Sequence, residues 1–83
     1  MVLWAGGSLS NILRLHERDN VGICKVALPA GTQLISSDVR LATDVPALHK
    51  VALRDIQAGE AILKYGQTMG FANQFIPAGA HVH

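Results

Sequence analysis

The sequence predicts a mainly β fold: a small domain of short strands with one or two short helical turns. Three observations carry this. No segment of helical length keeps its apolar residues at a 3.6-residue period. Aliphatic and β-branched residues come in short runs, separated by clusters of Pro, Gly, Asp and Asn. Ala-Gly pairs at Ala30-Gly31, Ala58-Gly59 and Ala78-Gly79 each precede a strand candidate, 28 and then 20 residues apart. A turn is therefore reused, without the fixed period of a solenoid.

Residues 1–13 read as a variable leader, with Gly6-Gly7-Ser8 as a flexible joint, although alternation suiting a strand already begins at Leu9 and continues to His16. Arg18-Asp19-Asn20 is a turn. Residues 21–28 form the strongest strand candidate, apolar on both faces. Pro29-Ala30-Gly31-Thr32 has turn chemistry, since Pro fixes φ and Gly admits φ > 0. Gln33-Leu34-Ile35 restarts a strand, Ser36-Ser37-Asp38 breaks it, and residues 39–41 resume it. Asp44-Val45-Pro46-Ala47 is a second turn, followed by a strand through His49-Lys50-Val51-Ala52-Leu53. Arg54-Asp55-Ile56 reads as one tight helical turn. Residues 61–65 form a strand ended by Gly66, and residues 71–76 suit either a helical turn or a strand. Pro77-Ala78-Gly79 then delivers a last strand, His81-Val82-His83. The domain proper spans residues 14–83.

Composition narrows the function. A chain of 83 residues makes one domain, which buries only about 60–65% of the surface its unfolded chain exposes. Aromatics are 5% of the residues, so the core is Val, Ile, Leu and Ala. Seven basic side chains against six acidic leave a net charge of +1 with no basic run, which gives nucleic acid no electrostatic footing. Cys24 is the one cysteine; it excludes an internal disulfide, fits a reducing cytoplasm, and reads as a small core residue. No apolar run approaches the roughly 18 residues of a membrane span.

Several motifs together resemble a known family. These are His16 with Asp19-Asn20-Val21, then Val45-Pro46-Ala47-Leu48-His49-Lys50-Val51-Ala52-Leu53, Asp55-Ile56 and Ala58-Gly59-Glu60. Ile62, Lys64-Tyr65-Gly66, Gly70, Ala72, Ile76, Gly79 and His81-Val82-His83 continue the pattern. In this order and spacing they are similar to the SAF-type N-terminal domain of altronate and galactarate dehydratases. The resemblance implies a β-clip fold. It also implies a part in removing water from a sugar acid to leave a 2-keto-3-deoxy acid, with most of the catalytic machinery in a larger C-terminal region or large subunit. The isolated chain is then expected to be inactive. A related small subunit serves a sulfolactate sulfo-lyase, where sulfite leaves instead. A third reading is a non-enzymatic β-clip module holding a polar ligand or a protein. The family usually places glycine before the His-Lys pair, and here Leu48 stands there.

Elimination from a hydroxy acid needs a base for the C–H, stabilisation of the enediolate, and an acid for the leaving hydroxyl. A divalent metal supplies part of this, and Fe²⁺ or Mn²⁺, bound mainly by the larger region, is the expected cofactor. His81 and His83, at i and i+2 on a strand, would share a face and are the expected metal ligands; the alternative is a polar chain end. His49 is the candidate acid–base group and Lys50 the candidate for the substrate carboxylate, against the alternative of a solvated turn. Lys64 and Tyr65 offer a cation and a phenol for a sugar acid, against the alternative of ordinary packing, and His16 and Asp19 read as residues near a turn. A homo-oligomer formed through an exposed strand edge is a further expectation.

Overall fold

A computed structural model describes residues 11–14, 16–34 and 38–82. Six short strands form two antiparallel sheets: β1 (Ile12–Leu13), β2 (Val21–Cys24), β3 (Lys50–Ala52), β4 (Ala61–Lys64), β5 (Gln67–Phe71) and β6 (His81–Val82). One sheet has the order β1-β2-β3-β6 and the other is the β4-β5 hairpin. The fold is mainly β, as expected. β1 falls inside the stretch read as leader and is hydrogen-bonded into the sheet, Ile12 facing Cys24 and Leu13 facing Ile23. Residues 1–10 lie outside the described residues.

Four copies of one turn organise the chain. In each, an apolar residue makes a single backbone pair across the molecule, Leu28 with Val45 and Ile56 with Ile76, and a four-residue turn follows. The closing bonds run from Thr32 N–H to Pro29 O, His49 N–H to Pro46 O, Glu60 N–H to Gln57 O and Ala80 N–H to Pro77 O. The third turn residue has positive φ every time: Gly31, Leu48, Gly59 and Gly79. With an ordinary φ at the residue before it, this is the type II turn. Its N–H reaches across to Leu41, Cys24, Ala72 and Ala52 O respectively. Two turns are tied from the opposite strand by carboxylates, Asp44 accepting from Ala30 N–H and Asp55 from Ala78 N–H.

Two apolar clusters fill the space between the turns. One contains Cys24, Leu28, Leu34, Leu41, Val45 and Val51, and the other Val21, Ala52, Ile56, Ala72 and Val82. Val51 and Ala52, adjacent on β3, face opposite clusters, as strand alternation requires.

Several sequence expectations are corrected. The strand expected over residues 21–28 ends at Cys24, whose N–H and C=O are both taken by the 48–49 turn. Leu28 then pairs separately, with Val45. Arg54-Asp55-Ile56 is a bend and not a helical turn, because Ile56 spends its N–H and C=O on Ile76. Residues 71–76 close β5 and then bend, with no helical turn. Residues 33 and 40 make one isolated pair in place of two strands. β5 itself was not expected.

Leu48 occupies, at φ 69°, the position filled by glycine in the three sister turns. The left-handed conformation costs a side-chain-bearing residue about 1–2 kcal/mol, whereas glycine loses about 0.5–1 kcal/mol of extra chain entropy on folding. Glycine wins, and Leu48 has little packing to lose because it is 76% exposed. Leu48→Gly is therefore expected to raise stability by about 0.5–1 kcal/mol, read as a higher urea midpoint with unchanged slope. A lower midpoint would show that the leucine side chain is holding the turn.

Candidate functional site

β3 and β6 pair with Val51 facing His81 and Lys50 facing Val82. Facing residues project to the same side of a sheet, so His81 shares the side of Val51, and so does His49, two residues before it. The two imidazoles meet there. Nδ1 of His49 lies 2.8 Å from Nε2 of His81, with ring centroids 5.0 Å apart and planes inclined by 36°. That is hydrogen-bond distance, and between neutral rings one nitrogen must donate and the other accept. His49 is exposed and His81 half-buried.

The main chain around His49 is fixed on both sides. Its N–H closes the Pro46 turn and its C=O accepts from Cys24 N–H at 2.9 Å, while Leu48 N–H donates to Cys24 O at 2.6 Å. Lys50, by alternation, projects with Val82 toward the side of the second cluster, away from the imidazole pair. The expected site residues thus divide: His49 and His81 come together, and Lys50 is turned from them. His83 lies outside the described residues. Among the described residues no group of three or more His, Cys, Asp or Glu side chains could hold a metal ion.

Asp19 and Glu60 serve the scaffold. Asp19 is buried, and its two carboxylate oxygens accept from Tyr65 N–H (2.8 Å) and Gly66 N–H (2.7 Å). Burial pushes this carboxyl up, but the N–H groups of Gly66, Tyr65 and His16, together with the His16 ring, outweigh it and hold it below the usual carboxylate range. Tyr65 and Gly66 both have positive φ, which makes the β4–β5 connection a type I′ turn; the Asp19 carboxylate clamps it. Asn20, fully buried, replaces a strand. Its amide donates to Ala61 O and accepts from Leu63 N–H, and its main-chain N–H donates to Leu63 O. Consecutive Asp and Asn before a β-branched run were the available signal for this pair. Glu60 is held below its ordinary range by Arg54, 2.7 Å away, and by Gln57 N–H. Burial pushes the Cys24 thiol up, which keeps it protonated and unreactive. No helix among the described residues is long and apolar enough to cross a membrane.

Fold and site together define a small antiparallel β domain, knitted by repeated type II turns, that presents an imidazole pair where its third and last strands meet. The chain belongs to the altronate/galactarate dehydratase SAF domain family, whose model matches residues 10–83. It is 40% identical over 73 residues to the altronate dehydratase of Escherichia coli (strain K12), covering 86% of this chain and 15% of that protein. It is 38% identical over 72 residues to the galactarate dehydratase (L-threo-forming) of the same organism, covering 84% and 14%. To the (2R)-sulfolactate sulfo-lyase subunit alpha of Paracoccus pantotrophus it is 40% identical over 50 residues, covering 58% of this chain and 75% of that subunit. The chain thus spans 14–16% of the length of the dehydratases it matches.

Proposed function

We propose that this domain is part of a sugar-acid dehydratase of the altronate/galactarate type, which eliminates water to give a 2-keto-3-deoxy acid, and that it covers the active site of a larger catalytic region. His49 is the proton-transfer group and His81 its orienting partner. The observation that carries this reading is the 2.8 Å contact between their rings, in a chain whose relatives are named dehydratases.

With Nδ1–H of His49 donated to Nε2 of His81, the lone pair of His49 lies on Nε2, and His81 carries its own proton on Nδ1. Nε2 of His49 can then take the proton from the carbon α to the substrate carboxylate. The imidazolium so formed keeps its Nδ1–H bond to His81, which holds the ring in place. The same nitrogen can then return that proton to the departing hydroxyl, which leaves as water. A divalent cation, Fe²⁺ or Mn²⁺ in this reading, would stabilise the enediolate and help the hydroxyl leave. His49 and His81 would offer such a cation two imidazole ligands, with the remaining ligands coming from the larger region. The proposal rests on the imidazoles and not on Lys50. The lone buried Cys24 suits a reducing compartment, and we place the protein in the cytoplasm.

In the enzyme joined to its catalytic region, His49→Ala is expected to lower kcat on altronate or galactarate by about 10²-fold or more, with KM little changed. His81→Gln, which keeps an acceptor for Nδ1–H, is expected to retain more activity than His81→Ala. Unchanged kcat in both alanine variants would reduce the domain to a structural cover. One observation favours a second reading, as the subunit of a sulfo-lyase: the matched stretch makes up 75% of that relative's subunit. Release of sulfite from sulfolactate, with no dehydration of the sugar acids, would select it.

A further inference from the structure

We propose that two copies of this chain associate through the outer edges of β5, strand against strand across a two-fold axis. The hairpin shows which main-chain groups face outward. β4 and β5 pair Ala61 with Phe71, Ile62 with Gly70, Leu63 with Thr68 and Lys64 with Gln67, and the register shifts between Ile62 and Leu63, leaving Met69 as an extra, bulged residue. On the far side of β4, the C=O of Ala61 and both the N–H and the C=O of Leu63 are bonded to Asn20. They are therefore not hydrogen-bonded to the residues facing them on β5. In an antiparallel ladder that turns the N–H and C=O of the facing residues, Thr68 and Phe71, away from β4.

These outward groups lie three residues apart because of the bulge. A regular strand offers such groups every second residue and matches only one of the two. A second copy running antiparallel carries the same three-residue spacing. Thr68 then faces Phe71 of the other copy, and Phe71 faces Thr68. Each facing pair exchanges both N–H···O bonds, four in all. The bulge thus excludes ordinary strands and admits its own copy.

The side chains agree. Exposed edges are usually guarded by charge or proline, and residues 67–71 contain neither, so no like charges meet across the axis. Every aromatic residue among those described, Tyr65, Phe71 and Phe75, is exposed and clustered in sequence about this strand, with Met69 exposed between them. Aromatic and Met side chains are enriched in protein–protein interfaces.

The test uses the purified chain, with sedimentation equilibrium over a range of concentrations and amide exchange in parallel. The expected result is a monomer–dimer equilibrium in which the Thr68 and Phe71 amides gain protection as dimer forms. Phe71→Lys leaves the main chain intact and is expected to raise the dissociation constant at least about tenfold. Val26→Lys, at an exposed apolar residue elsewhere, is expected to leave it unchanged. A chain that stays monomeric at the highest concentrations overturns the proposal. So does a dimer that is indifferent to Phe71→Lys and leaves both amides exchanging freely.

Discussion

Gly79→Ala is expected to give a chain with no cooperative thermal transition. A Cβ at this position would lie 2.0 Å from the carbonyl oxygen of Arg40 and 3.0 Å from its carbon. The obstacle is main chain, which cannot rotate aside as a side chain would. The residue also sits at φ 88°, which adds about 1–2 kcal/mol for alanine. Relief requires moving the 40–42 segment, which donates Ala42 N–H to Gly79 O, or β6, which is held through Gly79 N–H to Ala52 O. The first movement opens the apolar cluster that contains Leu41 and the second the one that contains Val82. A domain of this size has only about 4–12 kcal/mol of stability in total. Gly31→Ala is the control. Its φ is close to that of Gly79, at 86°, with open space around the added methyl, and it is expected to cost no more than about 1–2 kcal/mol. If the two variants melt within a few degrees of each other by circular dichroism, the close approach to Arg40 is wrong.

Asp19→Ala is the second large effect, at about 3 kcal/mol or more, because two hydrogen bonds to a charged acceptor are each worth about 1.5–3 kcal/mol. Tyr65 is also left in the left-handed region without its clamp. The carboxylate brings a dependence on pH whose sign follows from its depressed pKa. The folded state binds a proton less readily than the unfolded chain, so the stabilisation is complete above the unfolded value, about pH 4. It is lost as pH falls through the lower folded value. Asp19→Asn keeps the shape and removes the charge. It is expected to lower stability at neutral pH and to flatten this part of the acid limb. Parent and variant losing stability in parallel between pH 5 and pH 2 would place the acid sensitivity at other carboxylates.

How much of this was legible depended on whether a feature is local. β2, β3 and β4 announced themselves as short aliphatic runs, β6 as the segment delivered by the Pro77-Ala78-Gly79 turn, and three of the four type II turns as Ala-Gly. The fourth was read two residues early, as Asp44-Val45-Pro46-Ala47, because Leu48 fills the glycine position, and its true span shows in its φ and its 46–49 hydrogen bond. β5 escaped because Gln-Thr-Met-Gly-Phe lacks β-branched alternation and its turn is Tyr-Gly, where the usual hairpin signal is Asn-Gly. Asp19 and Asn20 looked like turn residues, and their reach across to residues 61–66 is not a local property. At the site, sequence supplied the histidines and the match to the family, but not the pairing. His49 and His81 meet because of the β3–β6 register, which no neighbouring residue specifies.

The topology also has a kinetic consequence. Among the described strands β4 and β5 have the shortest connection, the two residues Tyr65 and Gly66, and β1 and β2 are joined by residues 14–20. In the main sheet Val21 must find Ala52, and Lys50 must find Val82, each a closure of a long loop before any contact repays it. Proteins dominated by such distant pairings fold in milliseconds to seconds, far slower than helical bundles of equal length, while an isolated hairpin forms in about 1–10 μs. The hairpin is therefore expected to form before the main sheet. Asp19 and Asn20, which fasten it to β2, are the point at which the fast, local part of the molecule is joined to the slow, global part.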